Sequence, residues 1–405
     1  MAAYDVAVIG AGIVGLAAAS RLLERHPRLR LIVIEKELAI GQHQTGHNSG
    51  VIHRGVYYTP GSLKATLCVQ GSRALIDFCA RHDVDVKPIG KVIVALDQTE
   101  LPALDELFRR GKRNGVPGLE MIGPERLREL EPHATGIRGL HSPQTSVVDF
   151  AAVARAYARI ITSAGGQIIL GHRVEAIHTA GDAVTIETQV SSITSRSAIA
   201  CAGLQSDRLA EMSESGASKR LRIVPFRGDY YTLRPERRGL VNGLIYPVPD
   251  PRFPFLGVHF TPRHDGEVWL GPNAVLAFRR EGYGRFTISP RDLADTLRFS
   301  GFWRLAARHW RMGATEMWRG YVRSGFVKAL RRYVPSLADA DILPGPCGVR
   351  AQAVAIDGTL VDDFSVSTLG RTLHVRNAPS PAATSSLAIG AWIADRAEAE
   401  LGVGQ

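Results

Sequence analysis

The stretch from Tyr4 to Lys36 constrains the fold more than any other part of the chain. It reads Tyr4-Asp5-Val6-Ala7-Val8-Ile9, then Gly10-Ala11-Gly12-Ile13-Val14-Gly15, then a helical run, then Leu31-Ile32-Val33-Ile34-Glu35-Lys36. An apolar strand enters a glycine turn, a helix leaves it, and a second apolar strand ends on a carboxylate. Gly10 lets the chain turn sharply, Gly12 lets the backbone approach a pyrophosphate, and Gly15 lets the helix pack close to the strand. The amides at the helix N-terminus, around Ile13 and Val14, then face phosphate, where the helix dipole also favours negative charge. Glu35 lies twenty positions after Gly15, where it accepts hydrogen bonds from a ribose. Strand, turn, helix, strand and acid in this order predict dinucleotide binding. A glycine turn of purely structural use is the competing reading.

At 405 residues the chain is longer than one hydrophobic core usually supports, so two domains are expected. With 45% hydrophobic and 22% charged residues it has the composition of a folded globular protein. No apolar run approaches the ~20 residues of a membrane-spanning helix. The first strand begins at Tyr4, with no signal segment before it. Cys68, Cys79, Cys201 and Cys347 have neither CxxC nor metal-ligand spacing. They read as reduced thiols of a cytoplasmic protein, and no metal site is expected. The net charge of +10 is local: nine Lys or Arg lie between Arg298 and Arg332 against one acid, Glu316.

The remaining chain alternates between the two expected domains. After Lys36 comes the loop Gly41-Gln42-His43-Gln44-Thr45-Gly46-His47-Asn48-Ser49-Gly50, leading into Val51-Ile52-His53-Arg54-Gly55-Val56-Tyr57-Tyr58. Its glycines, hydroxyls, amides and histidines make a poor core element but suit backbone wrapped around a polar ligand. Helices are predicted over Leu63–Arg81, Glu100–Asn114, Glu125–Glu131, Val148–Ala164 and Ser206–Met212, and strands over Lys91–Leu96 and Gln167–Leu170. Val174–Ile177 and Val184–Thr188 read as a small antiparallel excursion. The strand ending at Ala202-Gly203 brings backbone back to the dinucleotide. From Leu221 the period changes to two, in runs separated by proline-rich turns: Leu221–Val224, Asp229–Leu233, Phe255–Phe260 and Glu267–Gly271. An inserted antiparallel sheet is predicted there. Helices resume from Arg291 to Tyr333, and Gly348–Gln352, Leu373–Asn377 and a helix over Ala383–Glu400 return to the first domain. The expected division is 1–85, 140–215 and 336–405 for the nucleotide-binding domain, and 86–139 and 216–335 for a substrate domain carrying the basic helical segment 298–333.

Several long strings occur in one order: the glycine turn with Glu35, Gly41 to Tyr58, Pro225-Phe226-Arg227-Gly228, Leu256-Gly257-Val258-His259, Gly348-Val349-Arg350-Ala351-Gln352 and Arg376 to Ser385. Together, over essentially the whole chain, they resemble the L-2-hydroxyglutarate oxidase/dehydrogenase family of the D-amino-acid-oxidase-like flavoproteins. The resemblance implies an α/β fold, a Rossmann-like FAD-binding domain with an inserted antiparallel-sheet substrate domain. It implies FAD rather than NAD and oxidation of L-2-hydroxyglutarate to 2-oxoglutarate. Electrons then pass to a quinone of the respiratory chain or to oxygen. Oxidases of amino acids or glycerol 3-phosphate in the same superfamily, and a non-catalytic flavin-binding protein, are the alternatives. Arg54 departs from the family's small residue and is expected to touch a carboxylate or alter substrate preference. Cofactor contacts are expected from Gly10, Gly12, Ile13, Val14, Gly15, Glu35, Lys36, Gln42, Thr45, Gly46, Asn48, Ser49, Gly50, Val51, Val174, Ala202 and Gly203. They are also expected from Ser380, Pro381, Ala382, Ala383, Thr384 and Ser385, whose amides open the last helix.

Oxidising a 2-hydroxy acid removes a hydride from C2 while a base takes the hydroxyl proton, and histidine is the usual base. His53, after the glycine-rich loop, and His259, in an apolar strand, are the candidates. Their competing role is that of hydrogen-bonded histidines at the domain seam. A dicarboxylate needs cationic clamps that meet it bidentately. Arg227 and Arg350, each among apolar neighbours, are candidates for this, against internal ion pairs as the alternative. Tyr58 and Tyr230 are candidate hydroxyl donors, with core packing as the alternative. In the basic segment Trp318, Val322, Phe326, Ala329 and Tyr333 follow near-helical spacing on one arc, while Trp303 and Trp310 lie beside Arg304, Arg308 and Arg311. This pattern predicts docking on an anionic membrane, peripheral on the inner face of the cytoplasmic membrane. Nucleic acid is not expected as a partner, because the basicity is local and Trp-rich.

Overall fold

The computed structural model describes residues 2–250 and 256–405. Tyr4–Ile9 sits inside an eight-stranded sheet, paired in parallel with Leu31–Ile34 on one side and Ser192–Ala200 on the other. Gln167–Ile169 extends the sheet beyond Leu31–Ile34. Ser192–Ala200 is shared: its first half pairs antiparallel with Ala183–Thr188, its second half parallel with Thr372–Asn377. The antiparallel excursion therefore belongs to the eight-stranded sheet.

The helix Ile13–Arg25 covers this sheet because its turn carries glycine where space is absent. A Cβ on Gly15 would stand 2.1 Å from the Gly10 carbonyl oxygen, and Gly10 itself has φ +106°. The last helix, Ser386–Leu401, packs on Ile13–Arg25, where a Cβ on Gly390 would lie 2.8 Å from the Ala17 backbone. The helix predicted from Val148 begins later. Asp149 caps Phe150–Ser163 by accepting from the Ala151 amide at 2.8 Å, and Val148 ends the strand Ser146–Val148.

Eight strands of the second, nine-stranded sheet run in the order Val275–Leu276, Leu221–Leu233, Val268–Gly271, His259–Pro262, Leu244–Pro247, Lys91–Ala95, Arg138–Ser142, Glu120–Ile122, and the ninth, Ile342–Ala355, pairs with Leu221–Leu233. The sheet is antiparallel except where Leu244–Pro247 lies parallel to Lys91–Ala95. Two expected runs are one: Leu221–Leu233 continues through Pro225, whose carbonyl accepts from Ala277 at 3.0 Å. The pairing with Ile342–Ala355 stays in register through Pro225 and shifts only between Asp229 and Tyr231. Of the run expected from Phe255, Phe255 lies outside the described residues and the strand is His259–Pro262.

The return to the first sheet also comes later than expected. Ile342–Ala355 pairs with Leu221–Leu233 along its whole length, placing Arg350 opposite Phe226 in the second sheet. The two sheets are pinned by Arg280, 2% exposed, which donates to the Leu204 carbonyl at 2.7 Å and forks onto Asp207. Asp207 in turn accepts from the Ile223 amide at 3.1 Å.

The basic segment departs from its expected arc. Ser300–Tyr321 ends where Val322 turns extended, and a separate helix, Arg323–Arg331, follows. Phe326, Leu330 and Tyr333 are buried in the second core, whereas Trp318 on the preceding helix stays exposed. No helix among the described residues is long and apolar enough to cross a membrane.

Candidate active site

A cavity of about 1190 Å³ runs from the glycine turn to the face of the second sheet. Of the expected cofactor residues, Gly10, Gly12, Ile13, Val14, Glu35, Lys36, Gln42, Thr45, Asn48, Ser49, Val51, Val174, Ala202, Gly203 and Ser380 to Thr384 line it. Gly15, Gly46, Gly50 and Ser385 do not, because they serve packing and turns behind the wall. Gly50, at φ +77°, has the Val148 carbonyl 2.8 Å from where a Cβ would stand.

The wall is held by backbone-directed bonds. Both carboxylate oxygens of Glu35 are engaged, one accepting from the Ala11 amide at 2.8 Å and the other from Glu37 at 2.9 Å. Thr45 Oγ1 accepts from the Ile13 amide at 3.0 Å and clasps the polar loop to the glycine turn. Asn48 ties that loop together through the Gln44 and Thr45 carbonyls and the Gly50 amide. Lys36 is held in a polar cluster, its Nζ 2.9 Å from Glu281 and 2.8 Å from His43. Opposite, Thr384 Oγ1 donates to the Val51 carbonyl at 3.2 Å and accepts from the His53 amide at 3.1 Å.

Two imidazoles from different sheets meet at the far end. His53 follows the short strand Val51–Ile52, and its buried Nδ1 has no hydrogen-bond partner among the described residues. His259 donates from Nδ1 to the Gly257 carbonyl at 2.9 Å, so its Nε2 carries the lone pair. Its ring lies on Tyr246, centroids 3.9 Å apart. Burial, aided by the Lys91 charge at His53 and by Arg350 and then Lys91 at His259, draws both imidazoles down to about 3, so both are neutral. Arg350 and Tyr230 also line the cavity, and the Arg350 charge acts on both His259 and Tyr230.

Three expectations change at this site. Arg227 does not line the cavity. It is 3% exposed and forks onto Asp229 at 2.7 and 3.2 Å, with its remaining reach on the Gly284 and Arg285 carbonyls. Two residues apart on one side of a strand, Arg227 and Asp229 satisfy each other, so the internal ion pair is the role observed. Tyr58 also stands behind the wall, its ring under Lys64 at 5.3 Å and its hydroxyl on Ser380. Arg54 points away from the cavity, donating to the Gln144 carbonyl at 2.9 Å. Sequence reasoning passed over Tyr246, Lys91 and Lys64. A lysine opening a run as apolar as Val92–Ala95 was the available signal for the second of these.

These features fit a bound dinucleotide. The helix Ile13–Arg25 presents its N-terminus with no side-chain cap at Gly12, leaving it open to an anion. A Cβ on Gly12 would meet only Thr45 Oγ1, at 3.6 Å, so protein packing does not require glycine there. The space it leaves belongs to the cavity. The FAD dependent oxidoreductase family pattern matches residues 5–396. The chain belongs to the FAD dependent oxidoreductase family. It is 51% identical to a mitochondrial L-2-hydroxyglutarate dehydrogenase of Nematostella vectensis, covering 97% of this chain and 90% of that one. It is 44% identical to an L-2-hydroxyglutarate dehydrogenase of Escherichia coli (strain K12), covering 98% and 93%. Among solved structures, L-alpha-glycerophosphate oxidase from Mycoplasma pneumoniae has the same fold, with a TM-score of 0.79 at 21% identity over 97% of this chain and 94% of that one.

FAD is therefore the cofactor, and when bound it supplies a hydride acceptor. The family's glycine turn, Glu35 and the clasped loop would hold its two nucleotide halves, and the turn Ser380–Thr384 would face its reactive end. Gly12→Val is expected to give folded protein without yellow colour, because the side chain enters the space left for phosphate. Flavin absorbance per mole of purified protein measures this; stoichiometric flavin in the folded variant would contradict the assignment of the turn.

Proposed function

We propose that this chain oxidises L-2-hydroxyglutarate to 2-oxoglutarate with FAD as hydride acceptor. One observation supports this most: a neutral imidazole with a free Nε2 lone pair, His259, lines the same cavity as the guanidinium of Arg350 and the phenol of Tyr230. That set holds a carboxylate and accepts a proton, which is what a 2-hydroxy acid requires. The relatives named for L-2-hydroxyglutarate supply the substrate identity.

Arg350 takes one carboxylate with charge-assisted hydrogen bonds. Tyr230 donates its hydroxyl beside it; burial pushes this phenol above its ordinary value, so it stays a donor. His259 Nε2 takes the C2 hydroxyl proton, a transfer worth roughly 10²–10⁴-fold. The Nδ1–H bond to Gly257 fixes the tautomer that this requires. His53, held by Thr384 at the edge of the polar loop, orients the hydroxyl. Because burial holds both imidazoles unprotonated far below neutrality, the base is ready throughout the physiological range.

The electron acceptor is a membrane quinone, reached by docking. Trp303, Trp310 and Trp318 are 57%, 63% and 56% exposed on Ser300–Tyr321, with Arg304, Arg308 and Arg311 exposed among them. Amphipathic rings among arginines suit an anionic headgroup layer, at ~1 kcal/mol per basic residue.

Two experiments test this reading. Anaerobic mixing with L-2-hydroxyglutarate is expected to bleach the flavin, while lactate, glycine and glycerol 3-phosphate leave it oxidised. In His259→Ala bleaching is expected to slow by roughly 10²–10⁴-fold with flavin retained. Bleaching by an amino acid or a phosphate ester instead, or a wild-type rate in the variant, would contradict it. In co-sedimentation the protein is expected to follow anionic but not neutral vesicles, to be released by salt, and to bind weakly once Arg304, Arg308 and Arg311 become Gln. Equal recovery in the supernatant with either vesicle at low salt would remove membrane docking.

A further inference from the structure

Lys91 is a cation buried in the wall behind the substrate end of the cavity. It opens the strand Lys91–Ala95, all of whose residues are buried, and is itself 2% exposed. Its ammonium lies 4.7 Å from the ring centroid of Tyr57 and 5.3 Å from that of Tyr246. No Asp or Glu among the described residues pairs with it. A buried charge of this kind is costly unless an opposite charge arrives, and two ring faces compensate only in part.

The geometry points outward to the site. Tyr246, which receives the ammonium, also carries the ring of His259 at 3.9 Å, and both Tyr246 and His259 line the cavity. The Lys91 charge acts on His53 as well as on His259, opposing protonation of each. One aromatic ring thus separates the ammonium from the place where the acid binds.

We propose that Lys91 is a positioning residue whose counter-charge is the substrate itself: its buried ammonium draws the dicarboxylate to the His259 end of the cavity. This rests on the reading of the substrate as a dicarboxylate.

The groups around it leave Lys91 a recognisable titration. Tyr57 and His53 face it from the segment after Val51–Ile52, Cys68 from the helix Leu63–Arg81, Tyr246 from Leu244–Pro247 and His259 from His259–Pro262. Lys64, on the same helix as Cys68, is tied to Asp362 at 2.8 Å. Burial pushes both phenols well up and Cys68 to about 12, while it draws the imidazoles down to about 3. Burial draws Lys91 itself down to about 8. The ammonium, not the amine, binds an anion. Affinity is therefore full below pH 8 and falls as pH rises through that value.

The probe is glutarate, which has both carboxylates and no hydroxyl to oxidise, titrated into the FAD-loaded enzyme and followed by the flavin spectrum. In wild type the dissociation constant is expected to be flat from pH 6.5 to 7.5 and to rise roughly tenfold per unit above 8. In Lys91→Met it is expected to be about tenfold or more weaker at pH 7 and flat with pH, with flavin content unchanged. A variant that keeps the wild-type constant, or keeps the rise above pH 8, overturns the proposal. Should the variant fail to hold flavin, the wild-type series decides: glutarate affinity absent or flat to pH 9.5 overturns it. Reduction of the same wild-type sample by L-2-hydroxyglutarate separates the two readings. If reduction is intact, such a result removes the role of Lys91 alone; if reduction is absent, the substrate reading falls and this one with it.

Discussion

Desolvation of basic groups is the constraint on which the seam between the second sheet and the segment after Val51–Ile52 depends. His53, His259 and Lys91 come from three separate segments and are buried within reach of one another's charge. Burial disfavours each protonated form, and for the two imidazoles neighbouring positive charges add to the effect. The consequence is chemical. An imidazole that would be half-charged near neutrality in water is held neutral, and a lysine is left as a buried charge without an Asp or Glu partner among the described residues. A 2-hydroxydicarboxylate answers both needs, since it brings negative charge and a proton to be removed.

The same cavity meets the opposite requirement at its other end. There Gly12 supplies no side-chain cap to the helix Ile13–Arg25, and Thr45 Oγ1 takes the Ile13 amide. Glu35 is not free to swing, because two amides hold its oxygens. Loop and turn are clasped through Thr45, and loop and last helix through Thr384. Three stretches far apart in sequence are thereby fixed around one ligand path. The glycine turn would hold the phosphates of FAD there, and His53 and His259 line the same cavity.

The nucleotide-binding half was legible because its signals are local. Gly10 answers a positive φ and Gly15 a close approach within the turn, Gly12 leaves space to the cavity, and Glu35 follows directly from the second strand. The substrate half was less so, because pairing over long separations overrides local punctuation. Pro225 looked like a break but lies within a thirteen-residue strand, since Ile342–Ala355 pairs across it. Arg227 looked like a clamp because its partner, Asp229, was read as part of another run. Lys91 looked like a strand end, and only the rings of Tyr57 and Tyr246, from two other segments, reveal that it is enclosed. The apolar arc expected from Trp318 to Tyr333 was split by one extended residue, Val322. The exposed tryptophans stayed on one side of that break and the core residues on the other.

The central claim is that the seam holds two neutral imidazoles, one with its tautomer fixed. Nitrogen-15 NMR of histidine-labelled FAD-loaded protein, assigned with His53→Asn and His259→Asn, tests it directly between pH 7.5 and 5. Both signals are expected to remain those of neutral imidazole across the range, with His259 as the Nδ1–H form. An imidazolium signal from either residue at pH 6 would contradict the account.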